Sequence, residues 1–185
     1  MKKLAIFGLC LALGSFALAG CSGEGEAFEE KDYTPDAQIK EISLDVRDRE
    51  IEVRLSEDEQ VHIRYFESSK EYYDISVSDG GVLTMVDADS KEWTDYIGKK
   101  PSAENRKILL QIPDGLLDSL YISTTNEDVS LPALAVKGSL SLSSNGGDIV
   151  FESLDAGSAI DIEVKNGDIS GVILGSYDDF SIETE

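Results

Sequence analysis

The chain has 185 residues, and 37 acidic against 16 basic side chains give it a formal net charge of −21. Nucleic acids and anionic lipid headgroups are bound through Lys and Arg side chains, so neither is an expected partner. Cationic ligands, divalent ions or basic proteins fit this charge better, although acidity also serves simply to keep a protein soluble.

Residues 1–20 have the form of an export signal. Lys2 and Lys3 precede an apolar run from residue 4 to residue 19, as in a secretory signal peptide. A membrane span needs about 20 predominantly apolar residues, and this run is shorter and contains Gly and Ser. We therefore expect the segment to be removed from the mature protein.

Cys21 is the candidate lipidation site. The tetrapeptide Leu18-Ala19-Gly20-Cys21 resembles the lipobox of bacterial lipoproteins, in which the cysteine thiol is diacylated and becomes the first mature residue. The alternatives are a free thiol or half of a disulfide, but Cys10 lies in the segment to be removed. We expect a covalent diacylglycerol on Cys21 and an extracytoplasmic protein anchored to the membrane.

The next segment, residues 21–37, is rich in Gly, Glu and Asp and has few apolar residues. Such a composition is typical of a flexible, solvated chain. We interpret it as an acidic tether between the anchor and a folded domain over residues 38–185.

From Ile39 onward, apolar and polar residues alternate, which is typical of half-buried strands. The segment from Asp87 to Arg106 is polar and is predicted to be a loop; it lacks the Gly and Glu of a calcium-binding EF-hand, so we assign it no metal site. The alternating runs in the first half of the domain are Ile42-x-Leu44-x-Val46, Ile51-x-Val53-x-Leu55, Val61-x-Ile63-x-Tyr65, Ile75-x-Val77, Leu83-x-Met85 and Ile108-x-Leu110-x-Ile112.

The second half repeats every twenty residues. Each unit holds an apolar-x-apolar pair and a further apolar residue nine positions after the start of that pair, a step that Ile42 and Ile51 share. Units of this length cannot bury their own apolar sides and must cover one another. The sequence thus predicts an all-β, β-solenoid-like stack of about 20 residues per rung, with looser packing at Gly171. The repeated positions are Leu120, Leu140, Ile160 and Phe180, then Val129, Ile149 and Ile169.

The corners between strands carry aspartates at Asp128, Asp148 and Asp168. Stacked carboxylates about 4.8 Å apart repel each other, so something must offset the charge. We expect each to be solvated or to accept backbone hydrogen bonds within its own turn. The alternative is a divalent cation shared between rungs, because hard cations prefer clustered carboxylate oxygens.

No residues form a convincing catalytic set. His62 is the only histidine and is expected on the outer side of a strand, where a solvated histidine is far commoner than a general base. The more informative positions are outward ones, which should form a flat face that changes from hydroxyl-rich to acidic. These are Tyr121, Ser123, Ser141, Ser143, Asp161, Glu163, Ser181 and Glu183.

The corner sequences Thr125-Asn126, Asn145-Gly146-Gly147-Asp148-Ile149 and Asn166-Gly167-Asp168-Ile169 resemble those of the bacterial "putative adhesin" domain of unknown function. The resemblance covers about residues 39–185 and implies an exported β-helical repeat domain without defined catalytic residues. Earlier rungs continue past the strand that matches Phe180-x-Ile182, so we expect the native chain to continue beyond Glu185.

The leading hypothesis is a non-enzymatic, lipid-anchored envelope protein whose β-solenoid provides an interaction or adhesion surface for an envelope protein or a glycan. A second hypothesis is an envelope-stress sensor or regulatory module that binds a membrane protein. A third is a carbohydrate-active enzyme built on a β-helix. None of the three requires a cofactor other than the covalent lipid.

Overall fold

The computed structural model describes residues 27–89 and 100–175, and this part of the chain is all-β, as predicted. A 3-10 turn at Glu104–Arg106 directly precedes the strand that begins at Lys107. No helix in the described ranges is long and apolar enough to cross a membrane. The strands are β1 (Glu29–Tyr33), β2 (Glu41–Asp45), β3 (Glu50–Leu55), β4 (His62–Glu67), β5 (Tyr73–Val77), β6 (Val82–Asp87), β7 (Lys107–Ile112), β8 (Ser119–Thr124), β9 (Val129–Leu131), β10 (Leu134–Val136), β11 (Ser139–Ser144), β12 (Ile149–Ala156), β13 (Ala159–Val164) and β14 (Ile169–Ile173).

The strands form two open sheets. The first sheet has the order β1-β4-β7-β3-β9-β12-β10, with β14 also paired to β12, and the second has the order β5-β6-β2-β8-β11-β13. The chain crosses from one sheet to the other at the Asn-Gly corners of the repeat, as between β11 and β12. Most neighbours are parallel, but β1, β4 and β5 are each paired antiparallel to a neighbour.

Parallel pairing joins residues that are twenty positions apart in the second half. Leu140 lies opposite both Leu120 and Ile160 in the second sheet. In the first sheet, Ile149 lies opposite Val129 and Ile169. The sequence period is therefore the offset between paired strands in this part of the stack.

The nine-residue step from Ile42 to Ile51, which matches that of the repeat, correctly relates these two residues to the repeated positions. Ile42 pairs with Leu120 in the second sheet, and Ile51 pairs with Val129 in the first. β2 and β3 thus form the level of the stack next to β8 and β9. The strands β6 and β7 pair with β2 and β3 on their other sides and carry the stack toward its N-terminal end.

The core is a row of Leu, Ile and Val side chains between the two sheets. Its members come from alternate positions of nearly every strand, and Leu44, Ile51, Leu110 and Ile122 are completely buried. At the N-terminal end the ring of Tyr65 meets that of Tyr73 edge to face, with centroids 5.4 Å apart. Both rings pack against the core and help to cover it at this end.

The tether prediction is wrong for its last part. Residues 29–33 form β1, which pairs antiparallel with β4 over five residues. Pairing satisfies the backbone groups of this acidic segment, and Arg64 lies 2.9 Å from the carboxylate of Asp32. Backbone hydrogen bonds and charge neutralisation therefore stabilise a strand that apolar content alone does not predict.

The prediction of loose packing at Gly171 is also wrong. A Cβ atom built on Gly171 would lie 2.1 Å from the ring of Phe151, so the ring already occupies that space. Phe151 itself is buried. The glycine leaves room for a large aromatic side chain of the preceding rung.

At the corners, the backbones of neighbouring rungs approach each other closely. A Cβ on Gly147 would lie 2.1 Å from the carbonyl oxygen of Glu127, one rung away. Backbone atoms cannot move away from an added methyl group as easily as a flexible side chain can. Glycine is therefore required at residue 147 by the rung spacing.

We expect Gly147→Ala to destabilise the protein by about 1–3 kcal/mol, because the added methyl group forces neighbouring rungs apart. Urea unfolding followed by circular dichroism measures the change. The control is Gly80→Ala, where the nearest atom to a new Cβ is a serine hydroxyl at 3.6 Å; it should change stability by less than about 1 kcal/mol. Equal losses in the two variants would contradict the proposed role of rung spacing.

Candidate functional site

The three corner aspartates form a ladder between rungs. Asp128 Oδ1 accepts a hydrogen bond of 2.9 Å from the backbone N–H of Asp148, and Asp148 Oδ1 accepts one of 2.9 Å from Asp168. The carboxylates of Asp128 and Asp148 thus bond to the following turn, where the sequence had suggested solvent, their own turns or a cation. The hydrogen bonds place an N–H dipole next to each charge and offset the repulsion between carboxylates.

The side chain of Asn126 connects this ladder to the corner between β2 and β3. Asp48 adopts a left-handed conformation with φ 54°, and Asn126 Nδ2 donates a hydrogen bond of 2.6 Å to its carboxylate. Burial opposes ionisation of Asp48, but the bond from Asn126 and the charge of Lys100 lower the pKa of its carboxyl overall. The Asn and Asp corners therefore connect successive rungs.

The outward side chains of the second sheet form one flat surface, which we call the hydroxyl face. Its central row crosses six strands, because each member lies directly opposite the next in the strand register. The outward positions predicted from the repeat share this face, whereas Ser181 and Glu183 lie outside the described residues. The central row consists of Ser76, Thr84, Ser43, Tyr121, Ser141 and Asp161.

Pairing with β2 extends this face beyond the repeat. Ser43 lies opposite Tyr121 on one side and Thr84 on the other, and these offsets are not multiples of twenty. The sequence repeat therefore found three of its six strands. Tyr121 is the exposed aromatic ring near its centre, with 38% of its surface accessible.

The outer face of the first sheet has a different electrostatic character. Its cationic side chains are matched with acids: Lys107 Nζ lies 3.3 Å from Glu50, and Arg54 is paired with Glu52. Arg64 is paired with Asp32 in the same way. Several acids of this face are therefore paired with cations, whereas Glu152 accepts a backbone hydrogen bond from Ala133.

His62 bridges two segments at the edge of the first sheet. Its Nδ1 lies 2.8 Å from the hydroxyl of Thr34, and its Nε2 lies 2.9 Å from the carboxylate of Asp58. The bond from His62 is the main cause of a lowered pKa at Asp58. The sequence correctly placed His62 on an outer side but missed both partners, which come from neighbouring loops.

A buried ion pair that the sequence did not indicate lies at the corner between β2 and β3. Arg49 donates to Glu71 at 2.5 Å and to the hydroxyl of Tyr73, and both charged residues are 4% exposed. Burial raises the pKa of Tyr73 to about 12 despite the opposing effect of Arg49. Because removing one partner would leave a buried charge uncompensated, the cluster ties the segment after β4 to the corner before β3.

Two cavities of the described chain have no histidine or cysteine in their linings. The one beside Arg49 has a volume of about 40 Å³, close to that of a single water site. A larger open groove of about 410 Å³ contains no histidine, cysteine or hydroxyl side chain in its lining. Its walls are Pro35, Asp36, Ala37, Gln38, Ile39, Glu59, Gln60, Val61 and Pro113.

Within residues 27–89 and 100–175, no group of three or more His, Cys, Asp or Glu side chains is arranged to hold a metal ion. Cys21, the expected lipidation site, lies outside these ranges and stays a prediction.

Removing the Asp148 carboxylate should destabilise the stack by about 1 kcal/mol, because the Asp168 N–H loses its acceptor. Chemical unfolding of Asp148→Ala tests this, and Asp148→Asn should recover most of the loss because the amide oxygen can still accept. The control is Asp155→Ala, an exposed carboxylate on β12. If the ladder did not contribute to stability, Asp148→Ala would be as stable as Asp155→Ala.

Comparison with solved structures finds proteins described in terms of adhesion. A "putative cell adhesion protein" from Clostridium sporogenes ATCC 15579 is 10% identical over 81% of this chain and all of that one, with a TM-score of 0.45. A "putative adhesin" from Parabacteroides distasonis ATCC 8503 is 17% identical over 80% of this chain and 70% of that one, with a TM-score of 0.36. A further "putative adhesin" from Bacteroides fragilis NCTC 9343 is 16% identical over 81% of this chain and 98% of that one, with a TM-score of 0.30.

No curated protein sequence matches this chain. The family described as Toastrack DUF4097 matches residues 39–172, which include every strand from β2 to β13 and most of β14. This match confirms the resemblance indicated by the Asn-Gly-Asp corners and agrees with a β-solenoid-like arrangement of the two sheets. The chain belongs to the Toastrack DUF4097 family.

Proposed function

We propose that this protein is a non-enzymatic, lipid-anchored component of the bacterial cell envelope, and that its hydroxyl face is an interaction and adhesion surface. The observation that carries the proposal is the continuous outward row from Ser76 to Asp161 across six strands. A flat array of this kind suits a partner that lies along the surface and does not need to enter a pocket.

The composition of the face supports binding over catalysis. Serine is the commonest residue at its outward positions, and a serine hydroxyl donates and accepts hydrogen bonds but needs an adjacent base to act as a nucleophile. The single histidine, His62, lies at the other sheet and is bonded to Thr34 and Asp58. The hydroxyls of the face therefore serve as recognition groups.

The lipid anchor follows from the N-terminal sequence. Leu18-Ala19-Gly20-Cys21 comes after a charged start and an apolar run, and a diacylated cysteine would hold the chain at the membrane. One lipidated residue with two acyl chains gives stable attachment, whereas a single chain binds only reversibly. The anchor would place the β1 end of the stack nearest the membrane.

We expect Cys21→Ala to abolish incorporation of labelled fatty acid and to release the protein from the membrane fraction. A signal peptidase II inhibitor should cause a larger, unprocessed form of the original chain to accumulate. Cys10→Ala is the matched control, because Cys10 lies within the segment to be removed and should leave labelling unchanged. Fatty-acid labelling that survives Cys21→Ala would contradict the anchor.

The interaction surface is tested with two equivalent serines on opposite sheets. Ser141→Trp places a bulky ring in the hydroxyl face, whereas Ser130→Trp places it on the outer side of β9. Saturation binding of each full-length variant to purified envelope vesicles from its own cells gives the affinities. We expect Ser141→Trp to weaken binding at least fivefold and Ser130→Trp to change it less than twofold; equal affinities would contradict the proposed face.

A further inference from the structure

Carboxylates on the hydroxyl face have no cationic counterparts there. The outward positions of its six strands contain no Lys, Arg or His. The ion pairs found in the described ranges lie on the first sheet, at the corners or in loops. The five acids of the face are Glu41, Asp45, Asp74, Asp161 and Glu163.

Three of these acids share one cross-strand row. Asp74 on β5, Asp45 on β2 and Glu163 on β13 are connected by the register through Val86, Ser123 and Ser143. Five strand steps of about 4.8 Å give the row a length of about 24 Å. A peptide extended at about 3.3 Å per residue crosses it with about seven or eight residues.

We propose that the hydroxyl face binds an extended segment of another protein that carries Lys and Arg side chains and lies across the strands along this row. Its cationic groups pair with the carboxylates of β5, β2 and β13, and its backbone amides bond to the serine hydroxyls between them. The two outer faces differ in charge pairing: Arg and Lys side chains on the first sheet pair with several of its acids, whereas the outward positions of the second sheet contain acids but no Lys or Arg.

Charge also favours this partner over a neutral glycan. Covering a carboxylate with a neutral surface removes its hydration without supplying a counter-charge, which is costly. A glycan surface would also use stacking aromatics, and Tyr121 is the one aromatic residue among the outward positions of these six strands. The proposal rests on the proposed function, because it names the partner of the same face.

The test uses the full-length chain in a non-ionic detergent and fluorescein-labelled decalysine as the probe. The variant Asp45→Asn/Asp74→Asn/Glu163→Gln neutralises the row. The control Glu57→Gln/Glu59→Gln/Glu104→Gln removes the same number of charges from exposed positions outside the face. Thermal unfolding of both variants checks that the fold is kept.

Fluorescence anisotropy at 50 mM NaCl should show a Kd at least tenfold higher for the row variant and less than threefold higher for the control. Binding of decalysine to the original chain should weaken as NaCl rises to 300 mM, because charge pairing is screened. Equal losses in the two variants would mean that decalysine reads only total charge, and the proposal would fail. It would also fail if neither variant changed the Kd.

The envelope-binding experiment separates the two conclusions. If Ser141→Trp loses envelope binding but the row variant binds decalysine like the control, the face is correct and its cationic partner is wrong. A neutral oligosaccharide, chitohexaose, then tests the glycan alternative. If Ser141→Trp keeps full envelope binding, the proposed function fails whatever decalysine does.

Discussion

Each rung has an apolar side that it cannot bury by itself, and stacking on the next rung is what removes that side from water. Val129 and Ile149 are completely buried, whereas Ile169, their equivalent on the last described rung, is 49% exposed. Cover from both neighbours is therefore the main source of burial, as in other repeat structures. The register follows from the same requirement, because a slip of one residue would turn Leu140 outward and Ser141 inward.

The corners fix the register that the core requires. Gly147 permits the backbone of one rung to contact that of Glu127, and the neighbouring Asp148 bonds to the rung on each side. Close approach and hydrogen bonding act at adjacent residues, so a repeated Asn-Gly-Asp sequence has a complete structural explanation. The corner aspartates therefore connect rungs, and the proposed binding surface lies on the strands instead.

Periodicity predicted the strands between residues 120 and 173 and the all-β class, because alternating burial leaves a direct trace in the sequence. The nine-residue step also related Ile51 to the repeat, and Ile51 pairs with Val129. β1 was missed because its stability comes from edge pairing and from Arg64, which lies 32 positions from Asp32. The Arg49–Glu71 pair was missed for the same reason, since contacts between non-periodic loops leave no pattern along the chain.

Inward and outward side chains alternate along each strand, so the residues that stabilise the core are different from those of the proposed binding face. Leu142 and Ile122 face the core, while Ser141 and Tyr121 face outward and can change without disturbing the packing. Acids in the row across the hydroxyl face lie two and three strands apart, or about 10 and 14 Å. These separations exceed the Debye length of about 8 Å at physiological ionic strength, so their mutual repulsion is largely screened. The stack can therefore carry unpaired carboxylates on this face at little cost to folding, and their attraction remains available to a cationic partner that comes into direct contact.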